Sequence, residues 1–409
     1  MRGELRLLAA LLALALVAGA LTGHAAAGED RQERIAARHW LLGGLLSAVL
    51  AQERRTEALL DRPGVVGTAV SRTADGEPAV VILRGSDRVD GLPAAIGGVP
   101  TVIRTIGRPR AHAPEPETLR REGDEAGGGA GAAAGAPELT AEERRYERPV
   151  PIGVSVGNAG ECTAGSIGAR VTDGRQVYLL SNNHVLAREN AAPIGSEVVQ
   201  PGPADTLCQA DPGDVLGDLS RVEQVAVGPA SLDPSATPDP AVPGQTRPAP
   251  AENLIDAALA LTSPAELGNA TPADGYGLPV TATITAEAAL GQAVQKYGRT
   301  TGLTTGKVVG INGVLEVAYG GGLARFVDQL IVLSDVPFLA SGDSGALLVT
   351  APGRRPAGLL FASNSAGNVA LANEIDHVLD AFGVTIDGEP VGLEGAWLRA
   401  PGVVTAPGR

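Results

Sequence analysis

The sequence predicts a mainly β protein preceded by a small α+β unit. Two observations carry the β part. From Val150 to about Val384, short apolar runs such as QVYLL, QLIVL, GALLV and AGLLF alternate with Gly, Asn, Asp and Pro clusters. That is the texture of many short strands in a barrel or sandwich. Aromatic residues make up only 3% of the chain, so the core must be built from Val, Leu, Ile and Ala. A third observation divides the chain. Over residues 109–148 the sequence becomes Gly/Ala-rich (EAGGGAGAAAGAPE) between charged stretches, which reads as a flexible linker at a domain boundary. A length of 409 residues suits two or three domains.

Residues 1–27 read as a secretory signal peptide. Arg2 and Arg6 flank the start of an apolar run from Leu7 to Leu21, and Ala25-Ala26-Ala27 follows. The run is short for a membrane span. Export to the cell exterior is therefore expected, with no membrane contact once the signal is removed. An uncleaved N-terminal anchor is the alternative.

Residues 28–108 form the predicted α+β unit. Ile35, Leu41, Leu42, Leu45, Leu46, Val49, Leu59 and Leu60 recur at helical spacing over Glu33 to Leu60, and Pro63-Gly64 ends the helix. Val65 to Val70 and Ala79 to Leu83 read as strands around a turn at Asp75-Gly76, with a further strand from Val99 to Ile106. Within residues 149–386, NEIDHVLDAF (Asn373 to Phe382) has helical period and is followed by Gly383. Gly228 to Glu252 is a Pro-rich insert expected to be a surface loop, and residues 387–409 a loose tail. No internal repeat is present.

A formal net charge of -14 argues against a nucleic-acid partner, which needs a basic face. Cys162 and Cys208 are the only cysteines. In an exported chain they are expected to form one disulfide, two buried thiols being the alternative. They are a poor ligand set for a metal. DPGDVLGD lacks EF-hand spacing and reads as a solvated turn. No cofactor motif appears, and no cofactor or metal is expected.

The stretch ASGDSGALLV sets Ser344 between Asp343 and Gly345. It is either a plain turn or a corner that presents a nucleophile. A nucleophilic serine needs a base, most often His, whose tautomer is fixed by a buried carboxylate. Of five histidines, His24 lies in the signal peptide, His39 and His112 in the N-terminal half and linker, and His377 in the late helix. His184, in YLLSNNHVLA, remains. NLIDAALAL places Asp256 inside an apolar strand, where an unpaired carboxylate is costly. The N–H groups of Gly342 and Ser344 would converge on a developing oxyanion.

SNNHVLA, LIDAALAL and SGDSGALLV occur in the order His, Asp, Ser. In this order and wording they resemble the chymotrypsin-like (trypsin-like) serine proteases, specifically the secreted bacterial branch. KYGRTTGLTTGKV, from Lys296 to Val308, resembles that branch too. The resemblance spans about residues 150–385. It implies two six-stranded antiparallel β-barrels with the site in the cleft between them, and a C-terminal helix. It makes His184 the general base, Asp256 its orienting carboxylate and Ser344 the nucleophile of a secreted serine endopeptidase acting on a protein or peptide substrate. A silent binding module on the same fold, or an esterase with the same triad, are the alternatives.

The sequence also departs from the family. Phe338, six residues before Ser344, stands where trypsin-like enzymes carry an Asp, so basic specificity is not implied and Phe338 is the candidate pocket residue. No Ile-Val-Gly-Gly follows a basic residue. Asp343 is then either a structural turn residue or the receptor for an activating amino terminus. The N-terminal unit is either a pro-region that helps folding or blocks the cleft, or a permanent accessory domain. Arg144, Arg145 and Arg148 are the expected exposed sites for cutting it away.

Overall fold

The computed structural model describes residues 43–111, 144–209, 211–229 and 251–390. The predicted signal peptide, the first part of the predicted N-terminal helix, residues 112–143 of the linker, most of the Pro-rich insert and the tail from residue 391 lie outside the described residues.

The described part of the N-terminal helix is split in two, α1 (Leu46–Glu53) and α2 (Thr56–Leu60), after a short 3-10 turn at Gly43–Leu45. Strands β1 (Val65–Arg72), β2 (Pro78–Arg84), β3 (Ala95–Ile96), β4 (Val99–Thr105) and β5 (Arg110–Ala111) follow. β1 and β2 pair antiparallel around the expected Asp75-Gly76 turn, and β2 pairs parallel with β4.

Next come β6 (Ser155–Asn158), β7 (Gly165–Ser166), β8 (Ala169–Thr172), β9 (Val177–Ser181), the four-residue helix α3 (Asn183–Leu186), β10 (Glu197–Val199) and β11 (Val215–Val222). β12 (Gly228–Pro229), β13 (Glu252–Asn253) and β14 (Ala258–Thr262) complete this half. The second half holds α4 (Ala286–Ala289), β15 (Ala293–Gly298), β16 (Gly302–Tyr319), β17 (Gly322–Leu333), β18 (Leu347–Thr350), β19 (Pro356–Ser363) and β20 (Val369–Glu374). It ends with the predicted helix, α5 (Ile375–Phe382), and β21 (Thr385–Ile386). Gly383 closes α5 at φ +62°, the left-handed cap that glycine adopts without strain.

The strands form one sheet of eight, in the order β21-β8-β9-β14-β11-β10-β6-β7, and one of thirteen. The larger runs β12-β17-β20-β19-β18-β15-β16-β1-β2-β4-β3, with β13 on β17 and β5 on β16 and β19. The expectation of two closed six-stranded barrels is therefore overturned. The eight-stranded sheet is open, its ends β21 and β7 unjoined. The larger sheet carries the N-terminal strands as part of itself, because the long β16 pairs with β15, β17 and β1. β16 can do this because it outruns β15. Its first part, Gly302 to Lys307, serves β15, which leaves Ile311 to Leu315 for β1.

The cores follow the sheets. Leu45, Ala48, Val49 and Val70 of the N-terminal unit pack in one cluster with Val308, Leu330, Phe338 and Leu360. Under the eight-stranded sheet, Ile167, Leu179, Val198 and Leu216 form a separate aliphatic core. As composition requires, aromatic rings are few in both. Helix α1 is also tied by polar contacts. Gln52, fully buried, donates to the Asn312 carbonyl at 2.8 Å and accepts from the Asn312 side chain at 2.8 Å. No described helix is long and apolar enough to cross a membrane.

Candidate active site

His184 sits in α3, directly after β9. Two asparagines hold the turn. Asn182 donates to the Asp256 carbonyl at 2.7 Å, and Asn183 donates to the Glu223 carbonyl at 2.6 Å. Asp256 lies two residues before β14 rather than inside the strand as expected. Its side chain is completely buried, yet fully engaged. Oδ2 lies 2.5 Å from His184 Nδ1 and accepts from Tyr319 Oη at 2.6 Å, while Oδ1 accepts from the His184 N–H at 3.2 Å. Its own N–H donates to Asn373 Oδ1 at 3.0 Å. Burial pushes the Asp256 carboxyl up, but the neighbouring His184 and these hydrogen bonds outweigh it and hold it below the usual carboxylate range.

An ionised carboxylate can only accept. Neutral His184 therefore carries its proton on Nδ1 and keeps the lone pair on Nε2. Nε2 is buried and makes no hydrogen bond among the described residues. Such an atom is a base without a bound proton source, a costly arrangement unless it has a use.

Ser344 is buried in the turn before β18, with Oγ 3.4 Å from the Phe361 carbonyl. Because Nε2 is unpartnered, His184 and Ser344 are not hydrogen-bonded to each other in this structure. β7 locks the turn from the other side. The Ser166 N–H donates to Ser344 O at 2.7 Å, and Ser166 Oγ donates to Gly342 O at 2.9 Å. A Cβ on Gly165 would lie 2.5 Å from Val185 and 2.9 Å from Ser344 O. The residue after His184 and the carbonyl of Ser344 therefore flank one α-carbon. Gly342 and Gly345 have φ of +95° and +92°. A Cβ at Gly345 would stand 2.1 Å from Ser181 Oγ, so only glycine fits this corner.

Asp343 is buried and saturated from within the chain. It accepts from the N–H groups of Thr300, Thr301 and Ala340 and from Thr301 Oγ1 at 2.7–3.1 Å, and lies 3.5 Å from Lys296 Nζ. Of its two expected roles, the structural one matches this geometry, with the β15–β16 turn as partner. Phe338 is fully buried in the larger core, its ring centroid 5.9 Å from the Lys296 ammonium.

Of the three arginines expected as exposed cutting sites, Arg145 is exposed and Arg144 and Arg148 are part-buried, and each is paired with a carboxylate. Arg144 pairs with Asp205 at 3.3 Å, Arg145 holds Asp214 through two contacts of 2.7 and 2.8 Å, and Arg148 pairs with Glu266 at 2.5 Å. Asp214 belongs to DPGDVLGD, so that turn is partly buried rather than solvated. Cys162 and Cys208 are disulfide-bonded, with Cα atoms 5.0 Å apart. His377 lies on α5, its Nε2 3.8 Å from Asp328.

Sequence reading missed Tyr319, Asn373 and Lys296. Tyr319 and Lys296 lie in strands whose local pattern looks structural, and their partners are dozens of residues away. Only the cost of burying Lys296 in an apolar strand hints at a partner.

No family model matches the chain, and no curated protein matches it. The chain is similar to several solved proteases. One is a glutamic acid-specific serine protease described as using a histidine triad in substrate binding, at 19% identity over 58% of this chain and 100% of that one, TM-score 0.40. Thermobifida fusca protease A is 17% identical over 58% of this chain and 98% of its own, TM-score 0.38. Cellulomonas bogoriensis chymotrypsin is 18% identical over 58% and 97%, TM-score 0.36. Likeness at this level is resemblance alone; function has to be argued from the site.

Proposed function

We propose that the chain is an exported serine endopeptidase in which His184, Asp256 and Ser344 form the catalytic triad. The observation that carries this reading is the buried His184–Asp256 pair, 2.5 Å apart, with Nε2 left unpartnered. In the reaction Ser344 Oγ turns from the Phe361 carbonyl and attacks the substrate carbonyl carbon while Nε2 takes its proton. The N–H groups of Gly342 and Ser344 hold the oxyanion. Nε2 then protonates the leaving amine as the C–N bond breaks, leaving an ester on Ser344. Water, deprotonated by Nε2, hydrolyses that ester and restores the serine. Asp256 stabilises the imidazolium in both steps.

In the same reading the residues before Arg144 are a pro-region that blocks the cleft. β18 and the two residues before it, Gly345 and Ala346, pair with β19 as far as Leu360, and β5 takes the edge beyond it, with Ala111 opposite Ala362 and Arg110 opposite Ser363. The pairing is antiparallel and runs toward Phe361, the residue whose carbonyl meets Ser344 Oγ. A peptide substrate added as a strand would need that same edge.

A fluorophosphonate probe tests the enzyme. Labelling of the chain severed between Ala111 and Arg144, absent in Ser344→Ala, is expected. No labelling of the severed protein sinks the proposal in favour of a silent module, and turnover of esters without cleavage of a peptide library favours an esterase.

A further inference from the structure

We infer that Tyr319 is a positioning residue of the site, its phenol fixing the Asp256 carboxylate that orients His184. The inference rests on the triad reading above. Tyr319 ends β16, far in sequence from both partners, and is nearly buried. Its Oη donates to Asp256 Oδ2 at 2.6 Å, the same oxygen that receives His184 Nδ1. Among the described residues, the only other side chain bonded to that carboxylate is His184 itself. The phenol ring meets the imidazole edge-on, with centroids 6.0 Å apart and planes at 85°. It stacks on Phe326 at 5.9 Å, and Phe326 packs on Phe361 at 4.6 Å. One run of rings thus leads from the base to the residue facing the nucleophile.

The aim of the ring is not set by close packing all round. Tyr319 lines a cavity of about 300 Å³ with Val66, Arg108, Pro109, Arg110 and Leu323. The ring is held by its stack and by the hydrogen bond to Asp256. Burial first, and then the charge of Asp256, raise the phenol well above its ordinary range, so it stays a donor at any working pH. Other charged groups around the pair are Glu189, which acts on Tyr319, and Glu161, which feels His184 and Arg188. Glu316 of the same strand faces Arg325 instead.

Deleting the phenol oxygen removes a donor from the oxygen that also holds His184. That oxygen becomes more basic and stabilises imidazolium better. The base then loses its proton only at higher pH. The test is Tyr319→Phe, compared with wild type in the severed full chain by fluorophosphonate labelling rate against pH. The acid limb of the rate profile is expected to move up by about one unit, giving about tenfold slower labelling on that limb. The high-pH plateau should change less than about threefold, since the ring and its stack remain.

Superimposable profiles overturn the inference. So does a plateau that falls with the limb unmoved, which marks a merely structural residue, or a variant that fails to fold. If wild type never labels, the enzyme reading fails but this contact is still judged. The low-field proton of His184 Nδ1 should shift in Tyr319→Phe by NMR, and an unshifted resonance overturns the inference.

Discussion

Lys296 Nζ lies 3.5 Å from Asp343 Oδ2, and neither side chain reaches solvent. The lysine also donates to the Gly302 carbonyl at 2.9 Å. Lys296 of β15 thus ties the start of β16 to the residue beside the nucleophile. Burial lowers the lysine's pKa, and Asp343 works against that shift. Removing one member strands a buried charge, which costs about 3–5 kcal/mol. Lys296→Met should therefore lose stability on that scale in chemical denaturation and label more slowly. A variant as stable as wild type would show that the pair holds nothing.

Asp256→Asn should keep the fold and lower the labelling rate by about a thousandfold to ten-thousandfold, because the amide favours the wrong imidazole tautomer. An effect below about tenfold would remove Asp256 from the triad.

The same carboxyl links stability to pH. Its folded pKa is depressed, so its contribution is present above the ordinary carboxylate value and is lost as pH falls through the lower folded value. Thermal midpoints of wild type should fall on acidification through this range. Asp256→Asn should lose part of that slope; identical slopes would contradict the depressed carboxyl.

Severing the chain between Ala111 and Arg144, and displacing the N-terminal piece, should free the Ala362–Ser363 edge and speed labelling of Ser344. Arg144, Arg145 and Arg148 remain anchored by Asp205, Asp214 and Glu266, so the new terminus should stay attached. Equal labelling before and after severing would make the N-terminal unit an accessory rather than a block.

Gln52→Ala should cost about 1–3 kcal/mol, because the buried Asn312 side chain loses its acceptor. Urea unfolding measures this; a change under about 0.5 kcal/mol would mean Asn312 finds another partner.

Reading residues in order made much of this visible. The apolar runs QVYLL, QLIVL and AGLLF became β9, β17 and β19, and NEIDHVLDAF became α5. Those readings worked because period and capping are local. The motif order also pointed to His184 and Asp256, which do pair. Asp256 itself was misread as lying within a strand, since an apolar run does not reveal where a ladder begins. The expected barrels failed for a different reason. Whether a strand closes a ring or joins a neighbouring unit depends on which edge is free, and β16 is long enough to serve β15, β17 and β1.

The sequence by itself determined the kinds of element, the glycines that the Ser344 corner demands, the cysteine pair, and the residue types able to act as base and nucleophile. Each follows from backbone sterics or side-chain chemistry within a few residues. Tertiary structure alone decided that Lys296 answers Asp343, that Tyr319 reaches Asp256, that Arg144, Arg145 and Arg148 are each paired with a carboxylate, and that β5 lies along β19. Those outcomes depend on burial, which turns an unpaired charge or lone pair into a large cost, and on partners that only folding brings within 3–4 Å.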